Sequence, residues 1–267
     1  MQTTISNTMA CINRENHLLQ YPGHELSLDV KKRRLYHYTS FNSFMRIWLT
    51  QTLKFGEVTD MNDMFENNYS GQCQTLNDEK CLDKYLEEKK QYKQISLTMD
   101  YDSFVQGCMS QMMWGVYGDK GNGVCIELDY NKLMEHLSEY MLHDAILYTS
   151  KLPEPPTITK DVASDFDSFF YSNQKDLFFT KHDCWSKENE YRIVSKEDDY
   201  LKIDGAITAI YITKPKSKEC ECIEKLLHDN NEVFFKCVYQ DSMDNVGTYL
   251  NICDVEYRKK NYLTTKQ

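Results

Sequence analysis

The feature that most constrains this fold is a series of short apolar segments with strand character, separated by helical segments of uneven length. The clearest of these segments are RLYHY, QISLTM, GVCIELD, EYRIV and AITAIYIT. Each is as short as a typical strand, and the helical segments between them lack the regular alternation of a doubly wound parallel sheet. The sequence therefore predicts an α+β fold, with a mixed, largely antiparallel sheet core and surrounding helices.

The pattern of apolar and polar residues divides the chain into a short N-terminal part and a long remainder. Residues 1–30 are polar and weakly patterned, which predicts an N-terminal arm or small elements. Strand and helix patterns then continue along the rest of the chain, so we expect a single α+β domain over 31–267. The Pro-rich stretch KLPEPPTITK, residues 151–160, is predicted to be a loop inside that domain.

Composition restricts the classes of partner and the compartment. The formal net charge of −10 argues against binding along a nucleic-acid backbone, which requires a basic surface, although it allows a local basic cleft. No stretch approaches 18 uncharged apolar residues, so we expect no membrane span. Ten cysteines occur without any CxxC pattern, and we therefore expect no metal site. With no signal peptide, free cysteines indicate a reducing cytoplasm.

The first candidate site lies in LYHYTSF, where a strand is followed by a helix. Ser40 is a good N-cap for that helix. Strand alternation places His37 and Thr39 on one face, with Tyr38 between them. Imidazole and hydroxyl groups can both donate and accept hydrogen bonds, which suits a ribose diol. The alternative is a core histidine beside an ordinary helix cap.

The second candidate site lies in CWSKENEYRIV. Glu188 and Glu190 flank Asn189, which predicts two carboxylates on one face at the start of a strand. Neighbouring carboxylates raise one another's pKa, which suits acid–base chemistry or the stabilisation of a cation. The alternative is a charge pair that faces solvent, with Arg192 on the same face paired to one of the glutamates.

The third candidate site is aromatic. The segment DYDSFVQGCMSQMMWGVYGD has a helical pattern, and Trp114 and Tyr117 are three residues apart within it. Residues at that spacing are neighbours on a helix, so together they would offer a surface on which a base or nicotinamide stacks. The alternative is a stripe of core side chains.

The fourth candidate is the acidic stretch DMNDMFEN. Its residues Asp60, Asn62, Asp63 and Glu66 lack the spacing and the central glycine of an EF-hand. Asn and Asp in loops commonly bond their own backbone. A metal-dependent nuclease or hydrolase that uses Asp63 and Glu66 nevertheless stays open as a third class of function.

The order of these motifs resembles an uncharacterised bacterial family that is catalogued only as a domain of unknown function. Its pattern is HYT, then NDxxE, then MWxxY followed by GVxI, then KxxxWxxExEYR. The resemblance covers residues 34–215, and Gly118 stands where the family usually has Ala. The family name implies no activity.

A second resemblance implies an enzymatic activity. A strand with a histidine and a hydroxyl residue, then a helix and a second strand, is similar to the opening of ADP-ribosyltransferase folds, which implies a split sheet. It also implies that His37 contacts a ribose of NAD and that Tyr117 or Trp114 stacks on the nicotinamide. Glu190, which directly precedes YRIV, would hold the ribose 2′-hydroxyl and stabilise an oxocarbenium-like transition state. The strand ISLTMD only partly matches the Ser-Thr-Ser-like strand of those enzymes.

These observations predict an NAD-using, ADP-ribosyltransferase-like enzyme that moves ADP-ribose to an unknown macromolecule or to water. Such an enzyme could serve as a bacterial toxin or anti-phage effector. NAD is then a substrate, and Lys181 or Arg192 would neutralise its pyrophosphate. His37 and Glu190 should line one pocket. The alternative is a non-catalytic nucleotide-sensing or protein-interaction domain, in which the two glutamates pair with Arg192 and Lys181.

Overall fold

The computed structural model describes residues 11–13, 18–21, 24–26, 34–58, 83–84, 86–102, 105–150, 170, 172, 174, 177–243 and 247–261. The Pro-rich stretch 151–160 and the acidic stretch with Asp60, Asn62, Asp63 and Glu66 lie outside these ranges. The predictions made for those two stretches therefore stay predictions, as does the division of the chain into an arm and one domain.

Sixteen strands and five α-helices have defined bounds and are numbered in chain order, and further helical residues lie at 83–84, 86–89, 170, 172, 174 and 177–178. The strands are β1 Cys11–Asn13, β2 Leu18–Tyr21, β3 His24–Leu26, β4 Arg34–Thr39, β5 Thr52–Lys54, β6 Gly56–Glu57, β7 Lys93–Met99, β8 Val124–Asp129, β9 Leu142–Ala145, β10 Leu147–Thr149, β11 Thr180–His182, β12 Glu190–Ser195, β13 Tyr200–Lys202, β14 Ile207–Ile212, β15 Phe234–Met243 and β16 Gly247–Asp254. The helices are α1 Phe41–Thr50, α2 Gln111–Val116, α3 Tyr130–Met134, α4 Lys218–Leu227 and α5 Val255–Asn261.

A nine-stranded sheet organises the molecule. Eight of its strands lie in the order β16-β15-β14-β8-β4-β7-β12-β9, and β6 pairs with β7 outside that path. Strands β14 and β15 are parallel, with α4 as the connection between them, and the other pairs of this sheet are antiparallel. The predicted α+β class is confirmed. Strands β1, β2 and β3 form a separate antiparallel sheet within residues 1–30.

The segment that begins the domain folds as its pattern predicts. Ser40 caps α1 by accepting a hydrogen bond from the backbone N–H of Ser43 at 3.2 Å. The apolar face of α1 buries Phe44 and Ile47 against the sheet. The helix ends at Thr50, its C-cap Gln51 adopts a left-handed conformation, and the chain then returns as β5. This geometry places the end of β4, α1 and β5 around one edge of a cavity.

The sheet opens between two neighbouring interior strands, β4 and β7. Strand β4 pairs with β8 along its whole length, from Arg34 to Thr39. It pairs with β7 at only two positions, Leu35 with Met99 and Tyr36 with Thr98. Beyond these positions β4 and β7 separate, and at the far end of β7 it is β6 that pairs with it. We call this opening the strand gap.

Candidate functional site

A cavity of about 280 Å³, the first cavity, lies in the strand gap. Backbone and side chains of both separated strands form its walls, and the segments around α2 and the start of β12 complete them. The lining residues are Tyr36, His37, Tyr38, Lys54, Gln94, Ile95, Ser96, Leu97, Thr98, Met113, Tyr117, Lys181, Glu188 and Glu190. His37 and Glu190 therefore line the same cavity. The catalytic roles assigned to them stay predictions.

His37 supplies a neutral imidazole with one unused acceptor. Burial lowers the pKa of His37 to about 4, against an opposing hydrogen bond with the Ser96 backbone. The imidazole is therefore neutral at pH 7. Its Nδ1 atom is buried and has no hydrogen-bond partner among the described residues. In the tautomer that carries its proton on Nε2, Nδ1 is the atom that accepts a hydroxyl proton from a ligand.

Glu190 is the most tightly held carboxylate of the cavity. Arg192 donates to it through Nε at 2.7 Å and through Nη2 at 2.9 Å. Ser96 Oγ donates at 2.6 Å and Lys181 Nζ at 3.4 Å. Burial alone would raise the pKa of Glu190, but the charges of Arg192 and Lys181 outweigh it and hold the pKa at about 2. Four contacts occupy the roughly four acceptor positions of a carboxylate.

Glu188 is held by fewer partners. Its Oε1 accepts a hydrogen bond from Tyr117 at 2.5 Å, and its Oε2 accepts one from Lys181 at 2.7 Å. The residue is buried, with 4% of its surface exposed. Among the described residues these two donors are its partners, so acceptor capacity remains on the carboxylate. We call Lys181, Glu188, Glu190 and Arg192 the carboxylate cluster.

The two glutamates converge for a reason that differs from the prediction. Glu188 ends a short 3-10 helix, Asp183–Glu188, and the strand begins only at Glu190. Between them Asn189 has φ of 46°, a left-handed conformation that Asn tolerates better than most residues. Its side-chain amide donates to the carbonyls of Met99 and Asp100 at 3.1 and 3.0 Å. The turn at Asn189, and not strand alternation, brings both carboxylates to Lys181.

The structure changes the role predicted for Arg192. Its side chain is 2% exposed, and it is not among the residues that line the first cavity. Besides Glu190, it donates through Nη1 to the carbonyl of Phe178 at 2.7 Å. This guanidinium therefore orients Glu190, and the contact predicted between Arg192 and a pyrophosphate stays a prediction. Lys181 lines the cavity, but it bonds both glutamates and lies over the Trp185 ring at 5.1 Å.

Of the two predicted aromatic residues, Tyr117 lines the first cavity and Trp114 does not. Tyr117 is the C-cap of α2 and donates to Glu188. Trp114 is 4% exposed and packs edge-on against Tyr38, with ring centroids 5.1 Å apart. Its Nε1 donates to the carbonyl of Cys108 at 2.8 Å. Trp114 is therefore a core residue and is not placed to stack on a ligand, because it does not line the cavity.

Tyr38 and Thr39 lie on opposite sides of β4. Tyr38 is buried and donates to the carbonyl of Gly107 at 2.6 Å, so it shapes the wall of the first cavity. Thr39 lines a second cavity of about 660 Å³ beside α1, where His37 lies on the same wall. His37 and Lys54 line both cavities. The predicted pairing of His37 with Thr39 thus holds for the second cavity.

Sequence reasoning missed two residues of the site. Ser96 donates to Glu190 from the neighbouring strand β7, and Lys54 stands between the two cavities. Strand alternation in QISLTM shows which face Ser96 occupies but not that β7 pairs with β12. That pairing, in which Ser96 lies opposite Arg192, is fixed only by the fold.

Two general properties of the described residues bear on the predictions. None of the helices there combines the length and apolar character that a bilayer crossing requires. Within the same ranges, three or more His, Cys, Asp or Glu side chains are nowhere grouped as ligands for a metal ion.

Comparison with known protein families assigns one segment of the chain. Residues 113–193 match the family described as Protein of unknown function (DUF2971). The chain contains a DUF2971 domain. This confirms the predicted resemblance to a family of unknown function, and the domain includes Tyr117 and the whole carboxylate cluster, whereas His37 precedes it. No curated protein and no solved structure matches the chain.

Proposed function

We propose that this protein is an NAD-using enzyme of the ADP-ribosyltransferase type, which cleaves the bond between nicotinamide and ribose and passes ADP-ribose to a macromolecule or to water. One observation carries the proposal. A single cavity in the strand gap has a neutral imidazole with an unused acceptor on one wall and two buried carboxylates on the other.

The chemistry of the reaction matches these groups. When the bond breaks, its electron pair leaves with nicotinamide and positive charge develops on the ribose at C1′. A carboxylate fixed in a buried site stabilises that charge more in the transition state than in the ground state. The buried acceptor Nδ1 of His37 is suited to receive a hydrogen bond from a ribose hydroxyl.

The contacts favour Glu188 as the carboxylate that meets the substrate. Glu190 is fully occupied by Arg192, Ser96 and Lys181, so a ribose hydroxyl would have to displace one of them. Glu188 has two donors and keeps acceptor capacity. We therefore assign Glu188 to the ribose and Glu190 to positioning, which revises the preference for Glu190 that the sequence suggested.

The volume of the first cavity agrees with part of a dinucleotide. Sites for small molecules usually measure about 300–1,000 Å³. The first cavity, at about 280 Å³, is at the lower limit of that range and suits a ring with its sugar. Of the two predicted aromatic residues, Tyr117 is the one that lines this cavity, and we assign it to the contact with the nicotinamide.

The test is NAD consumption, and transfer of label from NAD, by the purified full chain. Glu188→Gln keeps the shape of the side chain but removes its charge, and it should abolish most activity. Glu139→Gln, at an exposed position outside both cavities, is the matched control and should retain activity. Equal NAD consumption by wild type and Glu188→Gln would contradict the proposal, as would failure of the wild type to bind NAD.

A second candidate is a non-catalytic domain that senses a nucleotide. It is favoured by the complete pairing of Glu190 with Arg192 and Lys181, which is also how a structural ion pair is built. In that case the wild type would bind NAD or a related nucleotide without consuming it. Glu188→Gln would then change the affinity for the nucleotide, and neither the variant nor the wild type would consume NAD.

A further inference from the structure

The second cavity differs from the first in chemistry. It lies between α1, the end of β4 and β5, and it is lined by two cationic side chains, Arg46 and Lys54. Hydroxyl groups of Thr39 and Ser43 lie on the same walls. The chain as a whole carries a net charge of −10, so two cations in one cavity are a local exception to its composition. Positive charge combined with hydroxyl donors is the chemistry that binds phosphate.

The cations of this cavity are not committed to carboxylates in the described part of the chain. No ion pair joins Arg46 or Lys54 to a described Asp or Glu within 4 Å. The hydrogen bond that Lys93 donates to Asp199, at 2.5 Å, is the main cause that lowers the pKa of Asp199, and the positive charge of Lys54 lowers it to a smaller extent. Ser43 Oγ accepts a hydrogen bond from Ser40, which leaves its own proton to donate.

His37 borders both cavities. Its buried Nδ1 has no partner in the described residues, so a residue that lines both cavities carries an acceptor without a donor. Lys54 lines both cavities as well. A ligand that passes from one cavity to the other would place a hydroxyl near His37 and its neighbouring anionic groups near Lys54.

We propose that the second cavity binds the phosphate groups of the nucleotide whose ribose occupies the first cavity, with Arg46 and Lys54 as the binding cations. The assignment rests on the proposed function for the identity of that nucleotide. Arg46 and Lys54 thereby take the phosphate-binding role predicted for Lys181 and Arg192, because the latter two pair with the glutamates of the carboxylate cluster. The assignment also implies that the ligand spans both cavities, since the first has room for only one ring and sugar.

The test is calorimetric titration of the full chain with two probes, ADP-ribose and nicotinamide riboside, of which only the first carries phosphates. Arg46→Gln and Lys54→Gln should each weaken ADP-ribose binding about tenfold, which corresponds to ~1.4 kcal/mol. Arg46 lines only the second cavity, so Arg46→Gln should leave nicotinamide riboside binding unchanged. The charge-matched control Lys225→Gln, at an exposed position on α4, should bind both probes as the wild type does.

Three results would overturn the inference: no ADP-ribose binding by the wild type, equal ADP-ribose binding by wild type and both variants, or equal loss for both probes in Arg46→Gln. The outcome is separable from that of the proposed function. If ADP-ribose binding depends on Arg46 and Lys54 but NAD is not consumed, the phosphate site stands and the enzyme proposal fails. If NAD is consumed but ADP-ribose binding does not depend on Arg46 or Lys54, the enzyme proposal stands and the phosphate site fails.

Discussion

At the scale of single residues, the ion pairs of the carboxylate cluster distinguish a positioning role for Glu190 from a substrate-binding role for Glu188. A buried ion pair is a weak argument for stability by itself, because desolvation offsets the attraction between the charges. Removing one partner is nevertheless costly, since the other charge stays buried without compensation. Glu190 and Glu188 differ in this respect, because Arg192 depends on the first and not on the second.

Glu190→Gln should therefore lower the free energy of unfolding by roughly 3 kcal/mol, because the charge of Arg192 loses its bidentate partner. Glu188→Gln should cost clearly less, since Lys181 keeps Glu190 at 3.4 Å. Urea denaturation of both variants measures the difference. Equal destabilisation by the two substitutions would contradict the division into a positioning and a substrate-facing carboxylate.

His37 predicts a pH dependence of stability. Its pKa is about 4 in the folded chain and near 6.5 when unfolded, so between these values the unfolded state binds more protons. This contribution to stability is therefore complete above pH 6.5 and is lost as the pH falls towards 4. His37→Gln should flatten the stability profile in that window, as followed by urea midpoints at several pH values. An unchanged slope would show that His37 is not buried as a neutral ring.

One residue of the site and the helix cap beside it could be predicted from the sequence, and the reason is local. His37 and Ser40 follow from strand alternation and helix capping, and both depend on near neighbours in the chain. Ser96 and Lys54 could not be predicted, because their positions depend on which strands pair. The spacing of Trp114 and Tyr117 predicts one shared surface, but Trp114 is buried in the core, whereas Tyr117 lines the first cavity.

At the scale of elements, the strand gap is the feature that creates the cavity. Strands β4 and β7 share two pairs of residues and then separate, and His37 fills part of the opening by bonding the Ser96 backbone. Strand β8 holds the other side of β4, and its start is tightly packed. A Cβ atom on Gly123 would lie 2.2 Å from the carbonyl oxygen of Thr39. Because that oxygen belongs to the backbone, it could give way only by shifting the end of β4.

A pair of glycine substitutions tests this packing. Gly123→Ala should destabilise the fold by at least ~2 kcal/mol, as overpacking against fixed backbone does. Gly115→Ala, on the exposed side of α2 with nothing within 4 Å, should stabilise by roughly 0.5–1 kcal/mol through helix propensity. Thermal unfolding of both proteins gives the comparison. Tolerance of Gly123→Ala would contradict the close approach of β8 to β4.

The elements themselves were predicted unevenly. Buried strands such as β8 and β12 and the amphipathic helices α1 and α4 follow from apolar periodicity. Among the described residues of 100–119, the helical pattern yields a 3-10 turn, Gly107–Met109, and the six residues of α2. Its buried residues Cys108, Met113 and Trp114 pack against the interior strands β4, β8 and β14, and that tertiary contact overrides the local pattern. The strand gap has no signal in the sequence, because it reflects register between β4 and β7.

At the scale of the whole molecule, the site is assembled from two separate parts of the chain. The DUF2971 domain at residues 113–193 provides Tyr117 and the carboxylate cluster. The segment from β4 to β5 precedes it and provides His37, Arg46 and Lys54. The central claim is therefore geometric: a nucleotide ribose is bound between His37 on one part and Glu188 on the other.

The most direct test of that claim is a crystal structure of the Glu188→Gln variant with NAD bound, because loss of the carboxylate charge should slow cleavage while leaving the cavity intact. We expect the nicotinamide ribose in the first cavity, with one hydroxyl within about 3.2 Å of His37 Nδ1. The side-chain amide of residue 188 should contact the same sugar. A ribose bound away from His37, or a first cavity without ligand at saturating NAD, would contradict the account.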